Sequence, residues 1–416
     1  MRLILNPLLD TLPDVDGLRL RSVAFGISLV CNPLQASLLH LFGAPAELDD
    51  VCDQQPRARM QRAFLERCHA EGLLLLVDDR GQPIFPDRLP VDFPFVGAPS
   101  LQAVARADVV GAFAFVGVPW DRDVSGRAGA RFGPSAVRAA SAGWAFCLDP
   151  ISRRPQGFFD FGSQKKILEG VGFADVGDVF ALPGDSAIAV RARMRRSIHD
   201  VVATGAVPLV VGGDHSITRP VLAGVIDALD GAGDVDTPIC IVHFDAHTDL
   251  GDAAVEVGGG LALHHGNVMT VVLDELPRVK RIVQVGLRSL TKPATNAVDD
   301  RVVAFGIDQL DDVDAVLAAI PEDHACWFSL DIDVVDPAFA PSTGTPVPGG
   351  MLPRELFKLI ERIASVRHCL GIDLVEVAEP VGPSDGTAGI AATCLMRFCR
   401  AMVAGPTWRD FDAPSQ

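Results

Sequence analysis

From about residue 109 onward, short and wholly apolar runs alternate with segments of helical pattern, and this alternation constrains the fold more than any other feature. Seven runs have the length of strands, at residues 109–116, 207–211, 239–244, 282–285, 302–305, 326–330 and 369–372. Amphipathic or alanine-rich stretches separate them, at residues 185–203, 217–229, 354–364 and 388–403. This pattern indicates an α/β fold in which helices cover both faces of a mainly parallel sheet. Ligand sites of such sheets lie at the carboxyl ends of the strands.

The chain of 416 residues is longer than one hydrophobic core usually supports, which predicts a large domain and a smaller one. A proline-rich segment at residues 87–102 lacks helical periodicity and is typical of a connection between domains. We predict an accessory domain at residues 1–95, a linker at residues 96–108 and a catalytic domain at residues 109–416.

Charge and composition exclude several classes of protein. The formal net charge of −17 disfavours nucleic acid and anionic membranes as partners, and suits a cationic substrate or a carboxylate-rich metal site. No apolar run reaches the ~18 residues needed to span a bilayer, and the N-terminus is a poor signal peptide. The nine cysteines are scattered without a CxxC pair, which favours free thiols in a reducing cytoplasm.

The first hundred residues have the pattern of a small α+β domain of winged-helix type. An alternating stretch from Leu18 predicts paired strands, followed by helices near residues 33–42, 46–52 and 57–71, an LLLLV strand and a turn at 78–81. One interpretation is an accessory packing domain. A DNA-binding domain is disfavoured, because residues 1–100 carry nine Arg and no Lys against thirteen Asp and Glu.

Two polar clusters follow apolar runs in the middle of the chain. The first, GGDHS, has two glycines that let the backbone turn sharply into a helix, although an ordinary strand-to-helix turn explains it equally well. The second, DAHTD, places Asp245, His247 and Asp249 on one face of an extended segment. A solvated loop is the alternative for DAHTD. Three uncompensated polar groups at the end of a buried strand would be costly without a cation, which favours metal ligation.

A third cluster, DID, follows the CWFSL run and presents Asp331 and Asp333 together, so their repulsion requires a metal or a shared proton. The three clusters supply two histidines and four aspartates to one sheet edge: His215, Asp245, His247, Asp249, Asp331 and Asp333. Hard carboxylate ligands with a minority of imidazoles suit Mn²⁺, and Ni²⁺, Co²⁺ and Fe²⁺ stay open. Six ligands are too many for one catalytic ion with an open position, so the set predicts two ions.

The motifs GGDHS, DAHTD and SLDIDVVDP, in this order and spacing, resemble those of the ureohydrolases, the family of arginases and agmatinases. The upstream segment GVPWDRDVSGRAGARFGPSAVR and the downstream segments TGTPVPGG and DLVEV are also similar to family segments. The resemblance implies a three-layer α/β/α sandwich around a parallel sheet of about eight strands. It also implies an enzyme that hydrolyses a guanidino group to an amine and urea, in an assembly that is often a homo-oligomer.

The resemblance also implies roles for individual residues. One Mn²⁺ would be held by His215, Asp245, Asp249 and Asp331, and the other by His247, Asp245, Asp331 and Asp333. Asp249 would in addition accept a hydrogen bond from the nucleophile. Glu376 would clamp the guanidinium, with an ordinary surface glutamate as the alternative. His265 would shuttle protons and contact substrate together with Asn267, and His264 is the competing shuttle.

The sequence departs from free-arginine enzymes where those enzymes bind the amino-acid end of their substrate. Gly251 replaces an asparagine that contacts the α-carboxylate, and Ser289 replaces an aspartate that helps to hold the α-amino group. A peptide arginine, whose termini are amides, needs neither contact. The N-terminal pattern is similar to winged-helix domains that bind the leaders of ribosomally made precursor peptides by adding a strand to a sheet edge.

We therefore expect a dimanganese amidinohydrolase that converts arginine side chains of a precursor peptide to ornithine. The first alternative is a small-molecule ureohydrolase that acts on agmatine, a guanidino acid or free or modified arginine. The second is a catalytically silent regulatory homologue, which the presence of all six ligand positions disfavours.

Overall fold

The computed structural model describes the chain except for residues 15–16, 23–26, 71, 90, 92, 99–111, 148, 150, 152–155, 183, 253–261, 291–298, 379–381, 383–384, 406–407 and 409–416. The chain divides into two compact units, Met1–Asp92 and Phe93–Gln416. Most of the predicted linker, residues 99–108, lies outside the described residues, as does the start of the first predicted strand at 109–111.

The first unit has two small sheets and four helices among its described residues. Its elements are β1 (Arg2–Leu5), β2 (Asp10–Asp14), β3 (Gly17–Ser22), β4 (Ile27–Cys31), α1 (Pro33–Leu39), β5 (Ala46–Glu47), α2 (Leu48–Gln54), α3 (Pro56–Met60), α4 (Arg62–Ala70), β6 (Leu74–Leu76) and β7 (Arg88–Leu89). The sheets have the strand orders β2-β3-β4 and β5-β1-β6, and all four pairings in them are antiparallel.

Local sequence explains where the helices of this unit begin and end. The Asn32 side chain accepts a hydrogen bond from the Gln35 backbone N–H and the Gln35 side chain accepts one from Asn32, which forms a capping box at the start of α1. The helix predicted at residues 57–71 is wrong as one element, because the chain breaks at Gln61 (φ −110°, ψ 19°) into α3 and α4. Leu3, Phe42 and other apolar side chains form the core of the unit.

The second unit is built on one parallel sheet. Eight of its strands are β8 (Phe113–Val118), β11 (Phe173–Val179), β12 (Val207–Gly212), β13 (Ile239–Phe244), β14 (Val279–Leu287), β15 (Val302–Gly306), β16 (Ala325–Asp331) and β17 (Cys369–Val375). They lie in the order β15-β14-β13-β16-β17-β12-β8-β11, and each neighbouring pair is parallel. The strands β9 (Phe158–Asp160) and β10 (Lys165–Ile167) form a separate antiparallel hairpin.

Helices cover both faces of this sheet. They are α5 (Gly133–Ser141), α6 (Ala187–Val202), α7 (Thr218–Gly231), α8 (Val268–Glu275), α9 (Val313–Ala319), α10 (Pro353–Ala364) and α11 (Thr387–Ala404). Buried residues of α6, α7 and α8 share one apolar core with the sheet, and those of α5, α9, α10 and α11 share the other. The predicted three-layer α/β/α sandwich with about eight parallel strands is confirmed.

The helix α11 is the one described helix long and apolar enough to cross a membrane. Half of its apolar window is buried inside the unit. Leu395, Phe398 and Met402 lie in the core that α11 shares with α10. Packing in this core explains why α11 is long and apolar. Its length and composition are therefore weak evidence for a membrane span.

Candidate active site

Four adjacent central strands, β13, β16, β17 and β12, carry the site at their carboxyl ends. The strand β12 leads into a 3₁₀ turn at His215–Ile217, and β16 ends at Asp331 and leads into a second turn at Ile332–Val334. Because parallel strands end at the same edge of a sheet, the three polar clusters meet although they lie far apart in sequence.

His215 is the centre of the first group of predicted ligands. Its Nδ1 atom lies 3.0 Å from Oδ2 of Asp249, 3.2 Å from Oδ2 of Asp245 and 3.5 Å from Oδ2 of Asp331. The imidazole is fully buried, and Nδ1 has no hydrogen-bond partner among the described residues. An imidazole nitrogen left without a partner among three carboxylate oxygens is the donor arrangement of a divalent cation site.

His247 is the centre of the second group. Its Nδ1 atom lies 3.0 Å from Oδ2 of Asp333 and 3.4 Å from Oδ1 of Asp245. Asp245 therefore turns one oxygen toward His215 and the other toward His247, which is how a carboxylate bridges two cations. The same three residues, Asp245, His247 and Asp333, bring their ligand atoms within 4.8 Å of one another.

The buried negative charges of the cluster favour the binding of cations. Burial and the charges of Asp333 and Asp245 raise the pKa of Asp331 well above its usual range. Burial and the charge of Asp245 raise the pKa of Asp333 to about 6. Burial opposes the charge of His247, but hydrogen bonds to Asp245 and Asp333 raise its pKa to about 11. Like charges held together in a buried site are unfavourable unless protons or metal ions neutralise them.

A row of polar side chains, which no sequence motif marks as a set, crosses the sheet one layer below the predicted ligands. His243, Ser329 and Asp373 are paired in register on neighbouring strands, with Gln284 opposite His243. His243 Nε2 lies 2.8 Å from Oδ2 of Asp245, and Ser329 Oγ lies 2.9 Å from Nε2 of His215. Polar residues inside otherwise apolar strands were the available signal. This row orients the carboxylate of Asp245 and the imidazole of His215.

Glu376 and His265 face each other beside the cluster. Oε1 of Glu376 accepts a hydrogen bond from the His215 backbone N–H (3.1 Å) and lies 3.2 Å from Nδ1 of His265. Oε2 is buried and has no partner within the described part of the chain. A Cβ atom added to Gly344 would lie 3.2 Å from Oε2, so the glycine leaves space in front of this carboxylate. A buried carboxylate oxygen without a partner suits a cationic guanidinium.

The two candidate shuttles lie in different environments on the loop after β13. His265 is buried and faces Glu376, whereas His264 is exposed. Asn267 is fully buried: Oδ1 accepts a hydrogen bond from the His264 backbone N–H (2.9 Å), and Nδ2 donates to the backbone oxygen of Ala262 (2.7 Å). The amide of Asn267 is thus engaged with its own loop, and its contact with substrate stays a prediction.

Two site residues have backbone conformations that side chains rarely adopt. Asp249 has φ 50° and Glu376 has φ 62°. Such conformations cost of order 1–3 kcal/mol each and persist where the surroundings hold them in place. Both carboxylates are therefore held in orientations that local preference alone would not select.

Gly251 has no room for a side chain in this backbone. Its N–H donates to the Gly266 oxygen over 2.9 Å, and an added Cβ atom would lie 2.6 Å from that oxygen. Ser289 donates its backbone N–H to Ala246. Residues 253–261, which follow Gly251 closely in the sequence, lie outside the described residues.

The sequence is similar to those of known proteins. The sequence matches the Arginase family over residues 111–400. It is 35% identical to the mitochondrial agmatinase of Gallus gallus, over 68% of this chain and 79% of that one. It is 31% identical to the mitochondrial guanidino acid hydrolase of Homo sapiens, over 70% and 78%.

Solved structures of other proteins have a similar fold. The proclavaminate amidinohydrolase of Streptomyces clavuligerus superposes with a TM-score of 0.60 and 28% identity, over 76% of this chain and 100% of that chain. The family depends on a binuclear metal centre, and the buried histidines and aspartates described above offer the donors for one. The family model matches most of the second unit, and the fold is similar to that of the Streptomyces clavuligerus enzyme. This chain therefore belongs to the arginase family and is a metal-dependent ureohydrolase.

Proposed function

We propose that this ureohydrolase holds two Mn²⁺ ions and hydrolyses the guanidino group of arginine side chains in a peptide, leaving ornithine and releasing urea. One ion would be held by His215 with Asp245, Asp249 and Asp331. The other would be held by His247 with Asp245, Asp331 and Asp333. The observation that supports this most is the orientation of Asp245, whose two oxygens face the two imidazoles.

Bound metal ions would supply Lewis acidity and a water that is nucleophilic near neutral pH. The protein side chains would bind the guanidinium and transfer protons. Oε2 of Glu376, which has no partner among the residues that the structure describes, would accept N–H groups of the guanidinium and place its carbon beside the cluster. His265, on the other side of Glu376, would deliver a proton to the leaving amine.

The peptide substrate is supported by the amino-acid end of the site. Because Gly251 is packed against Gly266, that position offers no side chain to an α-carboxylate. Ser289 carries no charge for an α-amino group. A substrate whose backbone termini are amides loses nothing from either difference, whereas free arginine would bring two charges that neither of these two positions pairs.

The first unit is the proposed docking domain for a precursor peptide. In its β2-β3-β4 sheet, β4 is an edge strand without proline, and Val30 on it is exposed. A leader segment could add to this edge as a further strand, with backbone hydrogen bonds that give affinity remote from the chemistry. The other edge, β2, contains Pro13, which lacks an N–H to donate.

A small-molecule substrate is the second candidate, and the relatives favour it, since their names are agmatinase, guanidino acid hydrolase and proclavaminate amidinohydrolase. Agmatine and guanidino acids each lack one of the two charges of free arginine. The catalytically silent alternative is disfavoured because all six candidate ligand side chains lie in the two neighbouring groups around His215 and His247.

We also propose that the protein is cytoplasmic. Seven described cysteine side chains are free and buried, those of Cys31, Cys52, Cys240, Cys326, Cys369, Cys394 and Cys399. Burial raises the pKa of Cys326 to about 12, so this thiol stays protonated and unreactive. Buried free thiols are typical of a reducing compartment.

Urea release decides between the substrates. The Mn²⁺-loaded protein is given agmatine, 4-guanidinobutyrate, free arginine and N-acetyl-arginine N-methylamide at equal concentration, with the Asp245→Asn variant as the inactive control. We expect kcat/KM to be highest for the blocked arginine amide and higher still when that arginine lies in a leader-bearing peptide. Turnover of agmatine or 4-guanidinobutyrate with none of the amide would establish the small-molecule function instead.

A further inference from the structure

The His265 ring is held at both nitrogens, and its partner at Nε2 is a loop serine 140 residues away in sequence. Nε2 lies 2.9 Å from the backbone nitrogen of Ser125 and 2.7 Å from its Oγ. A backbone N–H only donates, so Nε2 is the acceptor in the resting ring. The neutral ring therefore carries its proton on Nδ1, the nitrogen that faces Glu376 at 3.2 Å.

The ring also separates a buried side from an exposed side. His265 is 9% exposed and Glu376 is 1% exposed. Ser125, in contrast, belongs to an exposed stretch of the loop between β8 and α5. The loop is held against the ring by a second contact, in which the His265 backbone N–H donates to the Asp123 oxygen over 3.1 Å. One hydroxyl thus lies between the ring and the solvent side of the site.

We propose that Ser125 is a positioning residue that sets the resting tautomer of His265, and that its hydroxyl passes protons between Nε2 and solvent during hydrolysis. The inference rests on the proposed role of His265 in proton transfer. It assigns a function to a residue that touches neither the ligand cluster nor the carboxylate expected to hold the guanidinium.

The protons balance over one turnover. When the Nδ1 proton moves to the leaving nitrogen, Nε2 takes the proton of the Ser125 hydroxyl, and Oγ takes one from a solvent water or buffer acid. The ring stays neutral and changes tautomer. When the next attacking water loses a proton to Nδ1, the Nε2 proton returns to Oγ, which gives one back to solvent. One proton enters and one leaves, and no ring anion forms.

Several charged groups act on this ring. Glu376 follows β17, Asp249 follows β13 and Asp214 follows β12, and His264 is the neighbour in sequence. Burial lowers the pKa of His265, but its hydrogen bond to Glu376 and the charges of the three carboxylates give a net rise. When Nδ1 takes up a proton on the buried side of the ring, Nε2 must release one for the ring to stay neutral. Among the described hydrogen bonds, only those with Ser125 involve Nε2.

Ser125→Ala is the direct test, because alanine keeps the backbone N–H at Nε2 and removes only the hydroxyl. Ser125→Thr keeps both groups. Ser135→Ala on α5 is the matched control, since Ser135 is exposed and donates to the Phe132 oxygen. Urea release from the best substrate among agmatine, 4-guanidinobutyrate and N-acetyl-arginine N-methylamide is followed against pH in weak buffer, with and without added imidazole. Metal content and Tm are measured in parallel.

We expect Ser125→Ala to keep its metal content and Tm and to lose about 10- to 100-fold in kcat, part of the range for a proton-transfer group. Imidazole should restore much of that loss, the pH profile should shift, and Ser125→Thr should retain most of the activity. Wild-type kcat and pH profile in weak buffer would overturn the proposal. So would a loss that imidazole does not relieve in a folded, metal-loaded variant. Full activity of His265→Ala would instead refute the role of His265 itself.

Discussion

The Ser329 hydroxyl donates a hydrogen bond to Oδ1 of Asp373 over 2.8 Å, across the neighbouring strands β16 and β17. The same hydroxyl lies 2.9 Å from Nε2 of His215. Because the hydroxyl proton points to Asp373, Ser329 accepts from Nε2–H, and the lone pair of His215 is left on Nδ1. A buried carboxylate thus selects, through one serine, the imidazole nitrogen that faces the cluster.

Ser329→Ala should weaken metal binding at the first position. Removing a group that orients a ligand histidine typically costs 10- to 100-fold, so we expect the apparent Kd for Mn²⁺ to rise by about that factor. Competition with a chelator measures it. Ser197→Ala, a buried serine on α6, is the matched control and should bind Mn²⁺ normally. An unchanged Kd in Ser329→Ala would show that the hydrogen bonds of Ser329 with Asp373 and His215 do not orient His215.

Asp245→Ala should lose both ions. Its two oxygens face His215 and His247, so one substitution removes a ligand from each position. Metal analysis of the purified variant should give far less than two ions per chain. Full two-ion occupancy would contradict the bridging assignment.

His265→Ala should lose about 10²- to 10⁴-fold in kcat, the usual range for a general acid, while keeping its metal ions. His264→Ala should be milder, since that side chain is exposed and His265 is the one that faces Glu376. Steady-state urea release and metal analysis of both variants provide the measurement. A larger loss for His264→Ala would mean that the wrong histidine has been assigned.

Arg138→Ala should destabilise the second unit strongly. This arginine is buried and binds Asp175 through two nitrogens, at 2.8 and 3.0 Å, and its Nη1 contacts Asp178. Removing one partner of a buried pair leaves an uncompensated charge, which typically costs about 3–5 kcal/mol in the free energy of unfolding. Arg195→Ala, which breaks the more exposed pair with Asp227, should cost only about 0–1 kcal/mol. Denaturant unfolding of both variants separates the two cases.

Deleting residues 1–92 should raise KM for a leader-bearing peptide and leave kcat largely intact, because a remote docking domain contributes mainly uniform binding. The cut is placed before Phe95, whose ring stacks on Phe115 at 4.9 Å and whose N–H donates to Asp175. Circular dichroism checks that the shortened chain folds. A folded truncation that processes the leader-bearing peptide as efficiently as the full chain would exclude docking by the first unit.

The sequence was enough to predict the α/β class and the positions of most central strands. Runs such as 239–244 are apolar throughout and are followed by polar residues at alternate positions, a pattern that depends only on strand geometry. The strand β11 was not predicted, because Asp175, Gly177 and Asp178 interrupt its apolar pattern. The buried Asp175 carboxylate is paired with Arg138, 37 residues earlier, and accepts hydrogen bonds from the backbone N–H groups of Phe95 and Gly177.

The sequence by itself determined which residues could serve as ligands, because DAHTD and DID each place alternate polar side chains on one face of the chain. Tertiary structure decided which of them meet, since that depends on β13, β16, β17 and β12 being neighbours. It also decided the polar row beneath the ligands and the contact of Ser125 with His265. Those partners lie tens to more than a hundred residues apart, so no local pattern predicts them, and only the packing of the sheet and its loops brings them within hydrogen-bond distance.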